Sequence, residues 1–143
     1  MFLGDYQHTL DVKGRVSLPK RFREELSGTV IVAKGIDRCL YVYSDAKYKE
    51  FVATLPEKDL DPTVRQVRRF FLTGAVPVDV DSAGRIMLSP GLREYAGLKR
   101  DVAVTGNDSR IEIWDSEAWT AYNRETEDSI EALAQGLAAT GPS

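Results

Sequence analysis

The 143-residue chain contains one cysteine and one histidine, and this scarcity excludes several kinds of chemistry. With Cys39 alone, no intrachain disulfide can form. With His8 alone, metal sites built from several imidazole or thiolate ligands cannot form, and a serine or cysteine nucleophile would depend on one ring as its base. We therefore expect neither a metal ion nor another cofactor, and we interpret Cys39 as a buried thiol.

Long apolar runs and nucleotide-binding motifs are also missing. No stretch approaches the length that crosses a membrane, and Asp5 interrupts the start of the chain before a signal peptide could form. The sequence has no Walker A pattern and no glycine-rich dinucleotide turn. We expect a cytoplasmic protein with neither a membrane partner nor a small-molecule substrate.

Acidic residues are absent from one short stretch, although acids outnumber bases in the whole chain. The formal net charge is −3, with 13 Lys and Arg against 10 Asp and Glu in residues 1–75, and 6 against 12 in residues 76–143. Nucleic-acid binding depends on a local group of cations rather than on the total charge. Such a group, with no acid among its members, lies at positions 13–23: Lys13, Arg15, Lys20, Arg21 and Arg23.

An internal repeat is the most informative feature that the sequence does contain. The segment "LDVKGRVSLPKRFREEL" at 10–26 is echoed by "VDSAGRIMLSPGLREYA" at 80–96. At an offset of 70 the two segments share an Asp, a Gly and two Arg: Asp11, Gly14, Arg15 and Arg23 match Asp81, Gly84, Arg85 and Arg93. Self-similarity on this scale predicts two halves with a common architecture.

Each half predicts the same order of elements: strand, strand, short helix, strand, strand, helix. An apolar strand approaches the Asp, and a tight turn containing the Gly leads into a second strand, which is typical of a β-hairpin. Pro19 and Pro90 suit the first turn of the short helices. Two β-rich segments follow in each half, with turns predicted at Gly35 and Gly106. The fold is expected to be mainly β with peripheral helices, in the α+β class.

A separate helix is predicted between the halves. Asp61 is a suitable N-cap for it, Pro62 a suitable first residue and Gly74 a suitable end. Three arginines share one face of this helix, where they form a second cationic patch, a subunit contact or simply a solvated face: Arg65, Arg68 and Arg69.

The end of the chain predicts one more helix, which starts near Asp115 or Ser116 and runs into a disordered tail, "AATGPS". Together these predictions divide the chain into four segments. They are a first half at 1–54, a linking helix at 55–75, a second half at 76–122, and a C-terminal helix and tail at 123–143.

The repeated Asp-x-x-Gly-Arg motif allows two interpretations. An Arg that is held by an Asp at a turn presents its guanidinium fork outward, which suits bidentate recognition of guanine or phosphate. Alternatively, the motif is only turn chemistry, because Asp and Gly are common turn residues. The duplication of the motif beside the cations at 13–23 favours recognition of nucleic acid.

An aspartyl hydrolase is the one enzyme class that the repeat suggests, since two carboxylates from pseudo-symmetric halves can share a proton. That chemistry needs each Asp to be followed by a small hydroxyl residue and then Gly. Here Asp11 is followed by Val-Lys, and Asp81 by Ser-Ala. The Arg four residues after each Asp would also keep the carboxylate ionised. We therefore expect no enzymatic activity.

The first segment, "MFLGDYQHTLDVKGRVSLPKRFRE", resembles the MraZ family of bacterial regulators, which are built from two AbrB-like halves. The resemblance extends to about residue 122 and includes both "DVKGR" and "DSAGR". It implies a duplicated, barrel-like fold with swapped hairpins, and assembly into a homo-oligomeric ring. It also implies a nucleoid-associated regulator that binds double-stranded DNA at direct repeats, upstream of an operon of division and cell-wall genes that includes its own gene.

The resemblance further implies which residues contact DNA. The two motifs supply six of them: Asp11, Gly14, Arg15, Asp81, Gly84 and Arg85. Arg15 is expected to contact base edges, with Asp11 fixing its rotamer. Four cations are expected to contact phosphates: Lys13, Lys20, Arg21 and Arg23. Because the second half has Ala83, Pro90 and Gly91 where the first has Lys13, Lys20 and Arg21, we expect Arg85 to contribute less than Arg15.

An antitoxin-like interaction protein is the remaining alternative. AbrB-type folds also occur in antitoxins that bind a toxin through a C-terminal tail, and the acidic segment 125–131 is compatible with that role. Two fused halves favour the DNA-binding regulator instead, because such antitoxins usually carry one.

Overall fold

The computed structural model describes residues 1–140, and 141–143 lie outside the described part. The elements, in chain order, are β1 Phe2–Thr9, β2 Arg15–Ser17, α1 Lys20–Arg23, β3 Thr29–Lys34, β4 Leu40–Ser44, α2 Asp45–Ala53, α3 Pro62–Thr73, β5 Val76–Asp79, β6 Arg85–Met87, α4 Pro90–Tyr95, β7 Asp101–Asp108, β8 Arg110–Asp115 and α5 Ser116–Thr140. The predicted order of elements in each half is confirmed, as is the mainly β fold with peripheral helices.

The strands form a six-stranded antiparallel sheet and a separate two-stranded ribbon. The sheet has the order β1-β7-β8-β4-β3-β5, and the ribbon pairs β2 with β6. The order of the sheet is unchanged when the two halves are exchanged and the list is reversed, so the fold has pseudo-twofold symmetry. Across residues 1–140 this pairing gives an open sheet with β1 and β5 at its edges, and no closed barrel is formed.

Strands on either side of each glycine turn pair with the other half of the chain. β1 pairs with β7 and β5 pairs with β3, while β2 and β6 pair with each other. The prediction of a simple β-hairpin, based on the turn residues, is therefore wrong. The strands instead pair between the two halves, as the family resemblance implies. The turn dictates a reversal of the chain, but burial of apolar side chains decides which strands become neighbours.

Alternate residues of the sheet enter two different cores, as the twofold periodicity of a strand requires. On one face, Leu40 and Val42 of β4 pack with the ribbon, α1 and α4. On the other face, Tyr41 and Tyr43 pack with side chains from α2, α3 and α5. All four are at most 5% exposed, and complete burial of one such side chain contributes about 1.5–3 kcal/mol. The ribbon and the long helices consequently lie on opposite faces of the sheet.

The caps of the linking helix agree with the sequence prediction. The Asp61 side chain accepts a hydrogen bond from the backbone N–H of Thr63, α3 begins at Pro62, and Gly74 is its C-cap. Two of its arginines hold the preceding loop: Arg65 Nη1 donates to a carbonyl oxygen at 2.8 Å and Arg68 Nη1 to another at 3.2 Å. These two side chains therefore bind carbonyl oxygens of the loop. Neither a cationic patch, nor a subunit contact, nor a solvated face predicts this.

The C-terminal helix begins where expected, since the Asp115 carboxylate accepts from the backbone N–H of Ala118 at 3.2 Å. It continues through Thr140, so the prediction of disorder is wrong for residues 138–140, where alanine favours the helical state. The rest of the predicted tail, 141–143, falls outside the described residues. No helix within residues 1–140 combines the length and the apolarity needed to cross a membrane.

Gly106 was expected to form a turn, but it lies inside β7, which continues to Asp108. Gly106 is paired with Gly4 of β1 on one side and with Ile111 of β8 on the other. A β-carbon at position 106 would collide with the backbone of Leu3. The glycine is therefore needed for the close approach of β1, and the reversal takes place two residues later.

Replacing Gly106 with alanine should force β1 away from β7 and lower the free energy of unfolding by about 1–3 kcal/mol, as overpacking does. The measurement is urea denaturation monitored by circular dichroism, with all variants at the same protein concentration. Gly91→Ala is the matched control, because a β-carbon there meets no atom within 4 Å. Equal destabilisation by the two substitutions would contradict the requirement for a close approach.

Candidate nucleic-acid interface

The first motif forms a tight turn that is organised by the Asp11 carboxylate. Oδ1 accepts hydrogen bonds from the backbone N–H groups of Lys13 and Arg15, each at 2.9 Å, and Oδ2 accepts from Arg15 Nε at 2.6 Å. Gly14 has φ +81°, a conformation that only glycine adopts without strain. The turn and the orientation of the Arg15 side chain therefore depend on the same carboxylate.

The second motif repeats this geometry bond for bond. Asp81 Oδ1 accepts from the backbone N–H groups of Ala83 and Arg85 at 2.9 Å, and Oδ2 accepts from Arg85 Nε at 2.9 Å. Gly84 has φ +80°. The spacing predicted from sequence, Asp and Arg four residues apart, forms an ion pair in both halves.

These hydrogen bonds fix the protonation state of the two carboxyl groups. The backbone N–H of Arg15, followed by its guanidinium, holds the pKa of Asp11 below its usual value of 3.8, and Arg85 has the same effect on the pKa of Asp81. Because each pKa is lower in the folded protein than in the unfolded chain, the stabilisation of the turn by these bonds is fully present above pH 3.8. It is lost only as the pH falls through the lowered pKa.

The ribbon brings the two motif arginines onto one surface. Its central pair, Val16 and Ile86, is fully buried, so the residues before and after this pair face outward. Arg15 and Arg85 lie on this outer face, on adjacent strands and diagonal to each other. Diagonal positions of a β-ribbon are about 7–8 Å apart. Met87, which is directly opposite Arg15, is 51% exposed.

Three further cations of the predicted site are exposed close to the ribbon in the sequence. Lys13 is in the first turn, and Lys20 and Arg21 are on α1, which follows β2 after two residues. Within residues 1–140 none of the three forms an ion pair with a carboxylate. The corresponding positions of the second half are uncharged, so the two identical turns have different electrostatic surroundings.

The remaining predicted cation, Arg23, is placed differently. Its side chain lies against Gly84, in the turn of the other half, while Arg93 lies in the same way against Gly14. The sequence prediction did not include Arg93 among the site residues. Its match to Arg23 at the offset of 70 was the available signal, but the exchange of strands that brings each arginine to the opposite turn cannot be inferred from that offset.

Among residues 1–140, the other reactive side chains do not form a second site. Cys39 is 1% exposed, its thiol donates to the Ile36 carbonyl oxygen at 3.2 Å, and burial raises the pKa of the thiol. This confirms the prediction of a buried thiol. In the described part of the chain, no cluster of His, Cys, Asp and Glu is arranged to hold a metal ion.

Comparison with known proteins shows which family has this arrangement. The family described as "MraZ protein, putative antitoxin-like" matches residues 1–70 and again residues 71–139. Among curated relatives, the Transcriptional regulator MraZ of Acetivibrio thermocellus is 44% identical over 144 residues, covering 99% of each chain. The proteins of the same name from Syntrophomonas wolfei and Moorella thermoacetica are 42% identical, with 99% of each chain covered, and 45% identical, with 96% covered. The chain therefore belongs to the MraZ family.

Proposed function

We propose that this protein is a sequence-specific DNA-binding transcriptional regulator. The observation that carries the proposal is the β2–β6 ribbon, which presents two arginines, each held by an aspartate, on one outer face. A two-stranded ribbon fits the major groove of B-DNA, and an arginine fork makes two hydrogen bonds to guanine there. The relatives named as transcriptional regulators agree with this function.

Within the proposed interface, Arg15 contacts base edges and Asp11 fixes its orientation. Asp81 and Arg85 have the same roles in the second turn, and the two turn glycines allow both geometries. The exposed cations contact phosphates, which adds affinity without sequence information: Lys13, Lys20 and Arg21.

We further propose that the two halves contribute unequally. The hydrogen bonds of the two turns are the same, so any difference must come from their surroundings. Lys13 adds a positive charge to the first turn where the second turn has Ala83, whereas Lys20 and Arg21 are on α1, whose Arg23 contacts the second turn. Because Lys13 is the charge that the two turns do not share, we expect Arg15 to contribute more to DNA binding than Arg85.

Assembly completes the proposal, with several copies in a ring that bind successive direct repeats upstream of the operon of division and cell-wall genes. One ribbon presents few base contacts, but linked copies on neighbouring repeats bind much more tightly than one copy alone. Within residues 1–140, the edge strands β1 and β5 each pair on one side only, so their free edges are suited to contacts between copies, and on β1 Leu3 is 64% exposed. Static light scattering at the concentrations used for binding should give the mass of an oligomer; a monomer would contradict the ring.

A second candidate function is the antitoxin-like interaction module, for which α5 is the supporting observation. The distal part of this helix is exposed and carries acids at 125–131 beside exposed apolar residues: Ile130, Leu133 and Leu137. An acidic helix with an apolar stripe suits a basic protein partner. This candidate gains weight if DNA binding proves not to depend on the arginines of the ribbon.

Arg15→Ala should weaken binding to a fragment from upstream of the protein's own gene by about 1–3 kcal/mol, the value of one bidentate base contact. Arg85→Ala should cost less, and neither should weaken binding to a scrambled fragment by as much. Fluorescence anisotropy measures both. Arg69→Ala is the matched control, because Arg69 is an exposed arginine on α3, outside the ribbon.

Equal losses from Arg15→Ala and Arg85→Ala would contradict the unequal halves while leaving the DNA-binding proposal intact. If the genomic and scrambled fragments bind equally to the unmodified protein, the proposal of sequence-specific binding is wrong.

A further inference from the structure

We infer that Arg23 and Arg93 are positioning residues, each of which holds the DNA-contacting arginine of the opposite half in place. The inference rests on the proposed function, since it concerns how the two motif turns are kept ready to bind DNA. It assigns Arg23 a role other than the phosphate contact expected from sequence, and it adds Arg93 to the interface.

The contacts of Arg23 place it underneath the second turn. Its Nη1 donates to the carbonyl oxygen of Ala83 at 3.3 Å, and Ala83 lies between Asp81 and Arg85 in that turn. A β-carbon at Gly84 would collide with the Arg23 side chain. The guanidinium is therefore packed against the backbone that carries Arg85, although α1 belongs to the first half of the chain.

The burial of Arg23 Nε favours a role in supporting the turn over a contact with phosphate. This atom is buried and has no hydrogen-bond partner within residues 1–140. A phosphate could reach only the outer nitrogens of such a side chain. Because a buried donor without a partner is costly, the contacts with the turn must compensate for it.

Arg93 also lies against the turn of the opposite half, although its own hydrogen bond is made within the second half. Its Nε donates to the carbonyl oxygen of Leu88 at 3.1 Å, and a β-carbon at Gly14 would lie 2.8 Å from its guanidinium carbon. The backbone N–H of Leu88 in turn donates to the Gly14 carbonyl oxygen at 2.9 Å. Arg93, Leu88 and Gly14 thus form a closed set of contacts in which residues from the second half support the turn that carries Arg15.

Chemistry explains why the two positions are arginine. A planar guanidinium packs flat against a peptide and still donates a directed hydrogen bond, which the compact ammonium of lysine cannot do. The contact also requires glycine in each turn, because only a residue without a side chain leaves room for the guanidinium. The repeat retains both partners of this contact, Gly14 with Gly84 and Arg23 with Arg93, as it retains the Asp and Arg of the motif.

The arrangement predicts a crosswise dependence that neither a phosphate contact nor a general stabilising role would produce. Loss of Arg23 should impair the contribution of Arg85, in the other half, and leave that of Arg15 intact. Loss of Arg93 should impair Arg15 and leave Arg85 intact. Residues that act through one another are not additive, whereas independent residues are.

The test is a set of double-mutant cycles on the full-length protein. Arg23→Met and Arg93→Met are each combined with Arg15→Ala and with Arg85→Ala, and binding to the fragment from upstream of the gene is measured by fluorescence anisotropy. Arg23→Met alone should weaken binding at least about twofold, the lower limit for coupled neighbours, and by no more than Arg85→Ala does. In the Arg85→Ala background it should have almost no further effect, and in the Arg15→Ala background it should have its full effect. Arg93→Met should show the reverse pattern.

A salt titration distinguishes positioning from phosphate contact. Lys20→Gln is the reference, and the slope of log affinity against log salt should fall by about 1 for both the genomic and the scrambled fragment. Arg23→Met should leave this slope and the affinity for scrambled DNA unchanged. Arg23→Gln, which keeps a donor near the Ala83 carbonyl, should recover part of the lost affinity, and the urea midpoint of each variant shows whether it is folded.

Three results are decisive. Losses that add in both backgrounds overturn the inference, and so does a fall in the salt slope for Arg23→Met like that for Lys20→Gln. A general loss of folding would weaken binding equally in both backgrounds and also overturn it. If Arg15→Ala and Arg85→Ala themselves leave specific binding unchanged, the proposed function fails first, and that outcome is separate from additivity.

Discussion

The bond between each motif aspartate and the arginine four residues later is the interaction on which the rest of this structure depends. One carboxylate oxygen binds the backbone of the turn and the other binds the guanidinium, so a single side chain sets both the path of the chain and the direction of the arginine. The path leads from β1 into β2 and from β5 into β6, and these two short strands build the ribbon. The bonds that shape the two turns therefore also orient the arginines of the surface proposed to bind DNA.

The exchange of strands makes that surface a joint product of both halves. β1 and β5 complete the sheet of the opposite half, and β2 and β6 have no other strand partner within residues 1–140. The proposed segments 1–54 and 76–122 describe the repeat in sequence, while the sheet and its cores contain strands from both. Fusing two halves in one chain also allows them to diverge, and the cations of the first half are the main difference at the ribbon.

Local features were predictable from the sequence because they depend on residues that are close along the chain. Asp61, Pro62 and Gly74 mark the ends of α3, and the spacing of Asp11 and Arg15 indicates their ion pair. Strand partners were not predictable in this way, because a tight turn fixes a reversal of the chain and not the identity of its neighbour. The positions of Gly106, Arg23 and Arg93 depend on the exchange of strands, so their contacts became visible only in the assembled fold.

The central claim is that Asp11 orients Arg15 for DNA, and the most direct test is the affinity of Asp11→Asn for the fragment from upstream of the gene. The amide removes the ion pair with almost no change in size, and Asp128→Asn, on exposed α5, controls for the loss of one negative charge. The account predicts that Asp11→Asn weakens specific binding on the order of tenfold, within the value of one bidentate base contact, while binding to scrambled DNA is unchanged. If Asp11→Asn binds the genomic fragment as tightly as the unmodified protein, or more tightly, Asp11 only repels DNA and the account is wrong.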